Sequence, residues 1–300
     1  MTLNYQLESS HVADYQLYSL SDVSFTLRGP QPPLRGNSPV LSFLGAAQTF
    51  GAFVKYPYPN LLGDMCSARV LNFGRGGAGP GFYLEQQAVL DYVNRTDCCV
   101  VQVMSARSSV NNAFMESVGG LTSVRIKQGR LKGETLLGHI AYKELEKELD
   151  TSSFIRLIHE TQEHYVEQNI QLSRQISCPK ILLYVGTNVP IKPGLKSKVA
   201  PGRFLVGAHP HMVTEEMLEQ LAPHFDAVVY AHDDKGARNR LLNRFTGDFV
   251  SLSRPSGLTV TSHSAYISPY LHVSAAQALY DPVMQALSRR VDRSRGQPLK

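Results

Sequence analysis

Ser42-Phe43-Leu44-Gly45-Ala46-Ala47-Gln48-Thr49-Phe50-Gly51 is the stretch that decides how this chain is read. An apolar run over residues 39–45 enters a turn of small residues without a break. That is the layout of a loop at the carboxyl edge of a buried strand. A second apolar run ends in Asn72-Phe73-Gly74-Arg75-Gly76-Gly77-Ala78-Gly79-Pro80-Gly81. Two such turns place a site at one edge of a sheet. Neither turn carries a serine or cysteine where nucleophilic attack would begin.

Outward from that stretch, apolar runs alternate with amphipathic segments. Tyr58–Met65 is predicted helical, 69–74 a strand, 82–94 an amphipathic helix and 98–104 a buried strand. A long helical region over 135–176 is expected to break near Asp150-Thr151-Ser152-Ser153, and 180–185 is the next strand. A capped helix at 214–221, a strand at 227–231 and a closing helix at 274–287 complete the pattern. Strands bounded by glycine turns, with helices between them, predict a parallel sheet covered on both faces. The divisions expected are a polar, proline-rich N-terminal extension (1–37), one α/β domain (38–288) with a lid or insertion near 187–210, and a basic tail (289–300).

The chain has 300 residues, 43% hydrophobic and 18% charged, with a net charge of +5, as in an ordinary globular protein. Its length suits one large α/β domain. Cys66, Cys98, Cys99 and Cys178 show no C-x-x-C spacing and read as small core residues, not as a zinc site or a disulfide framework. The start, Met1-Thr2-Leu3-Asn4-Tyr5, has no leader pattern, and no apolar run reaches membrane-span length. A cytoplasmic location is the expectation. No phosphate loop of G-x-x-x-x-G-K-[ST] form and no basic stripe interleaved with aromatics is present, so nucleic acid is not expected as a partner.

The order of the turns resembles that of the SGNH hydrolases, a flavodoxin-like α/β family of esterases and acetyl transferases. That family carries Gly-Asp-Ser after its first strand, Asn-x-Gly after the second, Gly-x-Asn-Asp after the third and Asp-x-x-His near its C-terminus. Here the blocks look like Gly45-Ala46-Ala47-Gln48-Thr49-Phe50-Gly51, Asn72-Phe73-Gly74, Ser105-Ala106-Arg107-Ser108 and Pro269-Tyr270-Leu271-His272, in the same order over nearly the whole chain. The resemblance implies a flavodoxin-like three-layer sandwich with a mainly parallel sheet. Three positions depart from the family: Ala47 stands for the serine, Pro269 for the aspartate that orients the histidine, and Arg107 for the oxyanion-hole asparagine. A methyl group cannot attack an ester, and the triad works as a unit.

What remains is a different chemistry. Arg75 and Arg107 are expected at the carboxyl ends of neighbouring strands, where two guanidinium forks suit a tetrahedral oxyanion. The backbone N–H groups around Gly74, Gly76 and Gly77 are expected at a helix start, as an anion cradle. Gln48, Thr49, Ser105, Ser108 and Asn111 supply neutral hydrogen bonds, and His272 is the candidate base. The function expected is transfer of an anionic group to a hydroxyl of a glycan or related metabolite. Its most concrete form is sulfuryl transfer from a sulfated nucleotide (PAPS-type) donor. The alternatives are an acyl transferase or esterase whose displaced nucleophile is Ser105 or Ser108, and a non-catalytic glycan- or partner-binding module. His209 and His211, in Gly207-Ala208-His209-Pro210-His211, stand two apart; they read as a metal pair or as a solvent-facing loop. Lys192, Lys196, Lys198 and Arg203 lie in the lid, where they read as phosphate contacts or as a solvated run.

Overall fold

The structure, a computed structural model, describes residues 10–33, 35–187, 209–232, 240–253, 259–261 and 266–295. Five parallel strands form its centre: β1 (Val40–Leu44), β2 (Arg69–Asn72), β3 (Cys98–Gln102), β7 (Lys180–Gly186) and β8 (Ala227–His232). They lie in the order β2-β1-β3-β7-β8. Counted as sheet strands alone, this is the doubly wound order 2-1-3-4-5 of the flavodoxin-like arrangement. The direction in which successive strands are added reverses between β1 and β3, so the crevice outside their carboxyl ends is where such a sheet takes a ligand.

The strands are buried on both faces, which is why they read as unbroken apolar runs instead of alternating ones. Leu41, Phe43, Cys98, Val100, Ile181 and Leu183 point to one face, where α2 (Tyr58–Met65) and α8 (Pro269–Arg295) cover them. Leu44, Leu71, Cys99, Val101, Leu182 and Tyr184 point to the other. There α3 (Pro80–Leu84), α4 (Gln87–Val93), α6 (Thr151–Gln175) and α7 (Glu215–Leu221) pack, giving the expected three layers. Cys98 and Cys99 are fully buried thiols within this core, and all four cysteines are free.

Several boundaries differ from the sequence reading for identifiable reasons. The expected helix over 82–94 is two helices, α3 and α4, because Pro80 starts the first and Glu85 and Gln86 leave it before the second begins. The helical region 135–176 begins with a short strand, β6 (Thr135–Leu137), before α5 (Gly138–Glu148), and the expected break sits where Asp150 caps α6 by accepting from Ser153 N–H at 3.0 Å. β6 belongs to an antiparallel sheet with β4 (Met115–Ser117) and β5 (Ser123–Ile126), inserted between β3 and α5. The closing helix starts at Pro269 and runs to Arg295, into the region expected as a basic tail. Ser268 starts it: its Oγ accepts from Leu271 N–H at 3.1 Å, and Pro269 takes a first-turn position that needs no N–H.

The N-terminal extension is not merely an approach. Tyr18, Leu20, Val23, Phe25 and Leu27 join the main core, and Tyr15 packs edge-on against Phe50. Arg28, only 3% exposed, donates to the carbonyl oxygens of Gly51, Val54 and Lys55 and lies 4.6 Å from the Tyr15 ring centre. Burial lowers its pKa to about 10, so it stays charged at neutral pH. The lid residues 188–208, with Lys192, Lys196, Lys198 and Arg203, and the last five residues of the tail lie outside the described residues.

Candidate functional site

The turn after β1 is a short helix, α1 (Ala47–Phe50), whose approach Gly45-Ala46 lies beside the end of β3. Gln102, the last residue of β3, is fully buried and is the hub of the site. Its Oε1 accepts from Ala46 N–H at 2.9 Å, Thr49 N–H at 3.2 Å and Thr49 Oγ1–H at 2.6 Å. Three donors on that atom fix the orientation of the amide, so Nε2 is the donor end. It donates to Gln48 Oε1 at 3.1 Å and to His209 Nε2 at 3.0 Å. Thr49 Oγ1 has given its own proton to Gln102, so it accepts from the Tyr58 hydroxyl at 2.7 Å. A Cβ at Gly45 would collide with both Thr49 Oγ1 and Gln102 Oε1, which is why glycine stands there.

His209 and His211 reach this network from the segment preceding α7. Gln162 of α6 holds the segment by donating to Met212 O at 2.8 Å, and Ala106 N–H donates to His211 O at 3.1 Å. The His209 carbonyl sits where a Cβ on Gly186 would be, so the end of β7 admits the loop only because it is glycine. His209 is buried, and burial followed by the charge of Arg107 pulls its pKa from 6.5 to about 3. It is therefore a neutral imidazole whose Nε2 accepts. Half-buried His211 lies edge-on to it, ring centres 5.8 Å apart, and its Nδ1 is 3.2 Å from Ser105 Oγ.

Of the residues singled out from the sequence, Gln48, Thr49 and Ser105 meet in this cluster. Arg107 stands on the short 3-10 turn Ala106–Ser109, its aliphatic part against Gly138. Ser108 donates to Gly77 O at 3.1 Å, joining the third block to the second. Asn111 is exposed and bridges to Glu116 on the inserted sheet, away from the cluster.

The second turn is built differently from the expected anion cradle. Gly74 N–H donates to Asn72 Oδ1 at 2.9 Å, Arg75 N–H to Gly45 O at 2.8 Å, Ala78 N–H to Arg75 O at 3.0 Å and Gly79 N–H to Gly120 O at 2.8 Å. These amides tie the turn to its surroundings, and α3 begins only at Pro80, after Gly76 and Gly77. The buried Tyr83 hydroxyl accepts from Gly45 N–H and lies 2.8 Å from Phe73 O, so the first two turns share one fastening. The Arg75 guanidinium lies 5.7 Å from the Phe25 ring centre.

His272 requires a correction. It is not in a turn before the last helix but inside its first turns, 1% exposed, on the face opposite that of Ala106. Its Nδ1 accepts from Tyr58 N–H at 3.1 Å, and the two rings stack with centres 5.9 Å apart. Burial, followed by the charge of Arg28, pulls its pKa to about 3. With one nitrogen lone pair committed and the ring sealed, it is a packing histidine that fixes Tyr58 under Thr49. The histidines that do reach the end of β3, His209 at Gln102 and His211 at Ser105, come from the loop read as a metal pair or a solvent-facing segment. Among the described residues no three metal-ligating side chains cluster.

The strand order is that of a flavodoxin-like, doubly wound α/β fold, and the first block, at the crevice between β1 and β3, carries no serine. A family model described as "Domain of unknown function (DUF6473)" matches residues 1–116. No curated protein matches the chain. Similar solved structures include a variant of Axe2, an acetyl-xylooligosaccharide esterase from Geobacillus, at 14% identity over 83% of this chain and 95% of that one, TM-score 0.39. Others are a carbohydrate esterase family 2 enzyme from Corynascus (11% identity, 86% and 69% covered, TM-score 0.38) and a G-D-S-L family lipolytic protein from Desulfitobacterium hafniense (11%, 80% and 99%, TM-score 0.37). Similarity at this level assigns neither a reaction nor a residue. No described helix is long and apolar enough to cross a membrane.

Proposed function

We propose that this chain is an esterase or acyl transferase with a displaced nucleophile, Ser105, and His211 as its base. The observation that carries the reading is the 3.2 Å separation of Ser105 Oγ and His211 Nδ1 at the carboxyl end of β3. A serine becomes a competent nucleophile when a base within hydrogen-bond reach takes its proton. Ser105 Oγ would attack the acyl carbon as its proton passes to Nδ1. The leaving alcohol takes that proton, and water or a second hydroxyl then releases the acyl group. Arg107, two residues on in the same turn, supplies positive charge for the developing oxyanion. Gln102 and His209 act as positioning residues beneath the pair.

Sulfuryl transfer from a nucleotide donor has less support. Its arginines have separate neighbours, Phe25 for Arg75 and Gly138 for Arg107, and its base, His272, is sealed against Tyr58. A fluorophosphonate probe, followed by peptide mass spectrometry, tests the esterase reading. Ser105 should carry the label, and His211→Gln should suppress it. Labelling of another serine alone, or none in folded protein, would remove the proposal.

A further inference from the structure

His209 carries a donor that its support of the pair leaves unused. Gln102 Oε1 is filled by three donors, so the glutamine presents Nε2, and His209 Nε2 accepts from it at 3.0 Å. A neutral imidazole that accepts at Nε2 carries its proton at Nδ1. Among the described residues nothing accepts from that Nδ1–H. His209 is 5% exposed, and burial, followed by the charge of Arg107, lowers its pKa to about 3. At neutral pH the ring therefore has no spare lone pair to act as a base and no second proton to act as an acid. What it can do is donate one hydrogen bond, from a position that is almost closed to water.

The neighbours of the ring indicate what that bond serves. The His211 ring centre is 5.8 Å away, and His211 Nδ1 is 3.2 Å from Ser105 Oγ. Arg107, two residues beyond Ser105, is close enough for its charge to act on His209. In the reaction proposed above, the bond from Ser105 Oγ to the acyl carbon forms, the Oγ proton passes to His211 Nδ1, and the carbonyl π pair moves onto oxygen. When that pair returns, the bond to the leaving oxygen breaks, and the leaving oxygen takes the proton from His211. Between those steps the acyl oxygen bears a full negative charge. A neutral N–H held in place suits it, because the donor needs no reorganisation and brings no charge of its own to desolvate. We propose that His209 Nδ1–H donates to this oxyanion beside Arg107, so that His209 is a catalytic residue as well as a support. The inference rests on the Ser105–His211 reading and adds to it the group that stabilises the charge.

The test is His209→Nδ1-methylhistidine, introduced by codon suppression in the full chain, which keeps the Nε2 lone pair for Gln102 and removes the donor. The rate at which a fluorophosphonate labels Ser105 should fall about a hundredfold. For p-nitrophenyl acetate kcat should fall with KM little changed. A purely supporting role predicts parent rates for the methylated ring; that result would overturn the inference and leave the proposed reaction standing. Absence of label on Ser105 in the parent would overturn both. Nitrogen NMR of the parent chain gives a reading that does not depend on how the variant folds. At neutral pH His209 should show its proton on Nδ1 and a lone pair on Nε2, and the Nδ1–H resonance should move downfield once Ser105 is phosphonylated. A proton on Nε2, or an unmoved resonance in the labelled protein, would overturn the assignment of His209.

Discussion

Gln102 Nε2 lies 3.0 Å from His209 Nε2, and the direction of that hydrogen bond is set from the other end of the glutamine. Oε1 is held by two backbone N–H groups and the Thr49 hydroxyl, so only the amide nitrogen faces the histidine. One polarised chain therefore runs from the Tyr58 hydroxyl through Thr49 and Gln102 to His209. It joins α1 and α2 to β3 and to the loop before α7, parts of the chain far apart in sequence.

Gln102→Leu should be strongly destabilising. It strands the donors of Ala46 and Thr49 in a site without water access, at about 1–3 kcal/mol for each orphaned group. Urea unfolding should show a loss of several kcal/mol, and an unchanged midpoint would contradict the network. Gln102→Glu keeps the acceptor and replaces the donor by a carboxylate, so the His209 pKa should rise; the His Cε1–H resonance followed against pH reports it.

Ser105→Ala and His211→Gln should each lower hydrolysis of p-nitrophenyl acetate by about 10²- to 10⁴-fold, the usual worth of a nucleophile's base. The double variant should lose little more than either single one, because the pair acts as a unit. Additive losses would separate the two residues. His272→Gln should leave the turnover of the remaining folded protein near the parent level.

Stability should fall as the solution is acidified below neutrality. His209 and His272 have folded pKa values of about 3 against 6.5, so between those limits the unfolded chain binds more protons than the folded one. Their contribution is complete above the unfolded pKa and is lost as pH falls toward the folded one. Between pH 7 and 5 each accounts for about 2 kcal/mol by that relation. Denaturant titrations at the two pH values measure it, and His272→Gln should flatten the dependence by about half.

Arg28 braces the first turn from behind, and Arg28→Met should cost more than an average surface change because three carbonyl oxygens lose a donor. Arg28→Lys should recover only part of the loss, since a compact ammonium cannot match the spread of a planar fork. Thermal unfolding of both variants checks the order. Equal melting temperatures for Lys and Met would show that packing on Tyr15, not hydrogen bonding, is what Arg28 provides.

The apolar runs at Val40–Leu44, Cys98–Gln102 and Lys180–Gly186 fix the parallel sheet by themselves, because strands buried on both faces have no polar side to alternate. The turns that end the first strands were legible for the same reason, and so was the missing serine at Ala47. The inserted sheet β4–β6 was not, since its strands are three or four residues long and carry mixed burial. Nor was the burial of residues 12–27, whose apolar side chains follow no single period. The one sign of the site's hub was a polar residue closing the otherwise apolar run Cys98-Cys99-Val100-Val101-Gln102.

The choice of histidine belongs to the tertiary structure. Sequence order matched His272 to a family block, but position along a chain does not say which face of a helix a side chain takes. Packing of α8 against Tyr58 sealed that ring into the core, while docking of the loop before α7 onto Ser105, Ala106 and Gly186 carried His209 and His211 to the crevice. Local pattern dictates strands and turns because it acts through neighbouring residues. Which distant groups meet depends on how the layers pack.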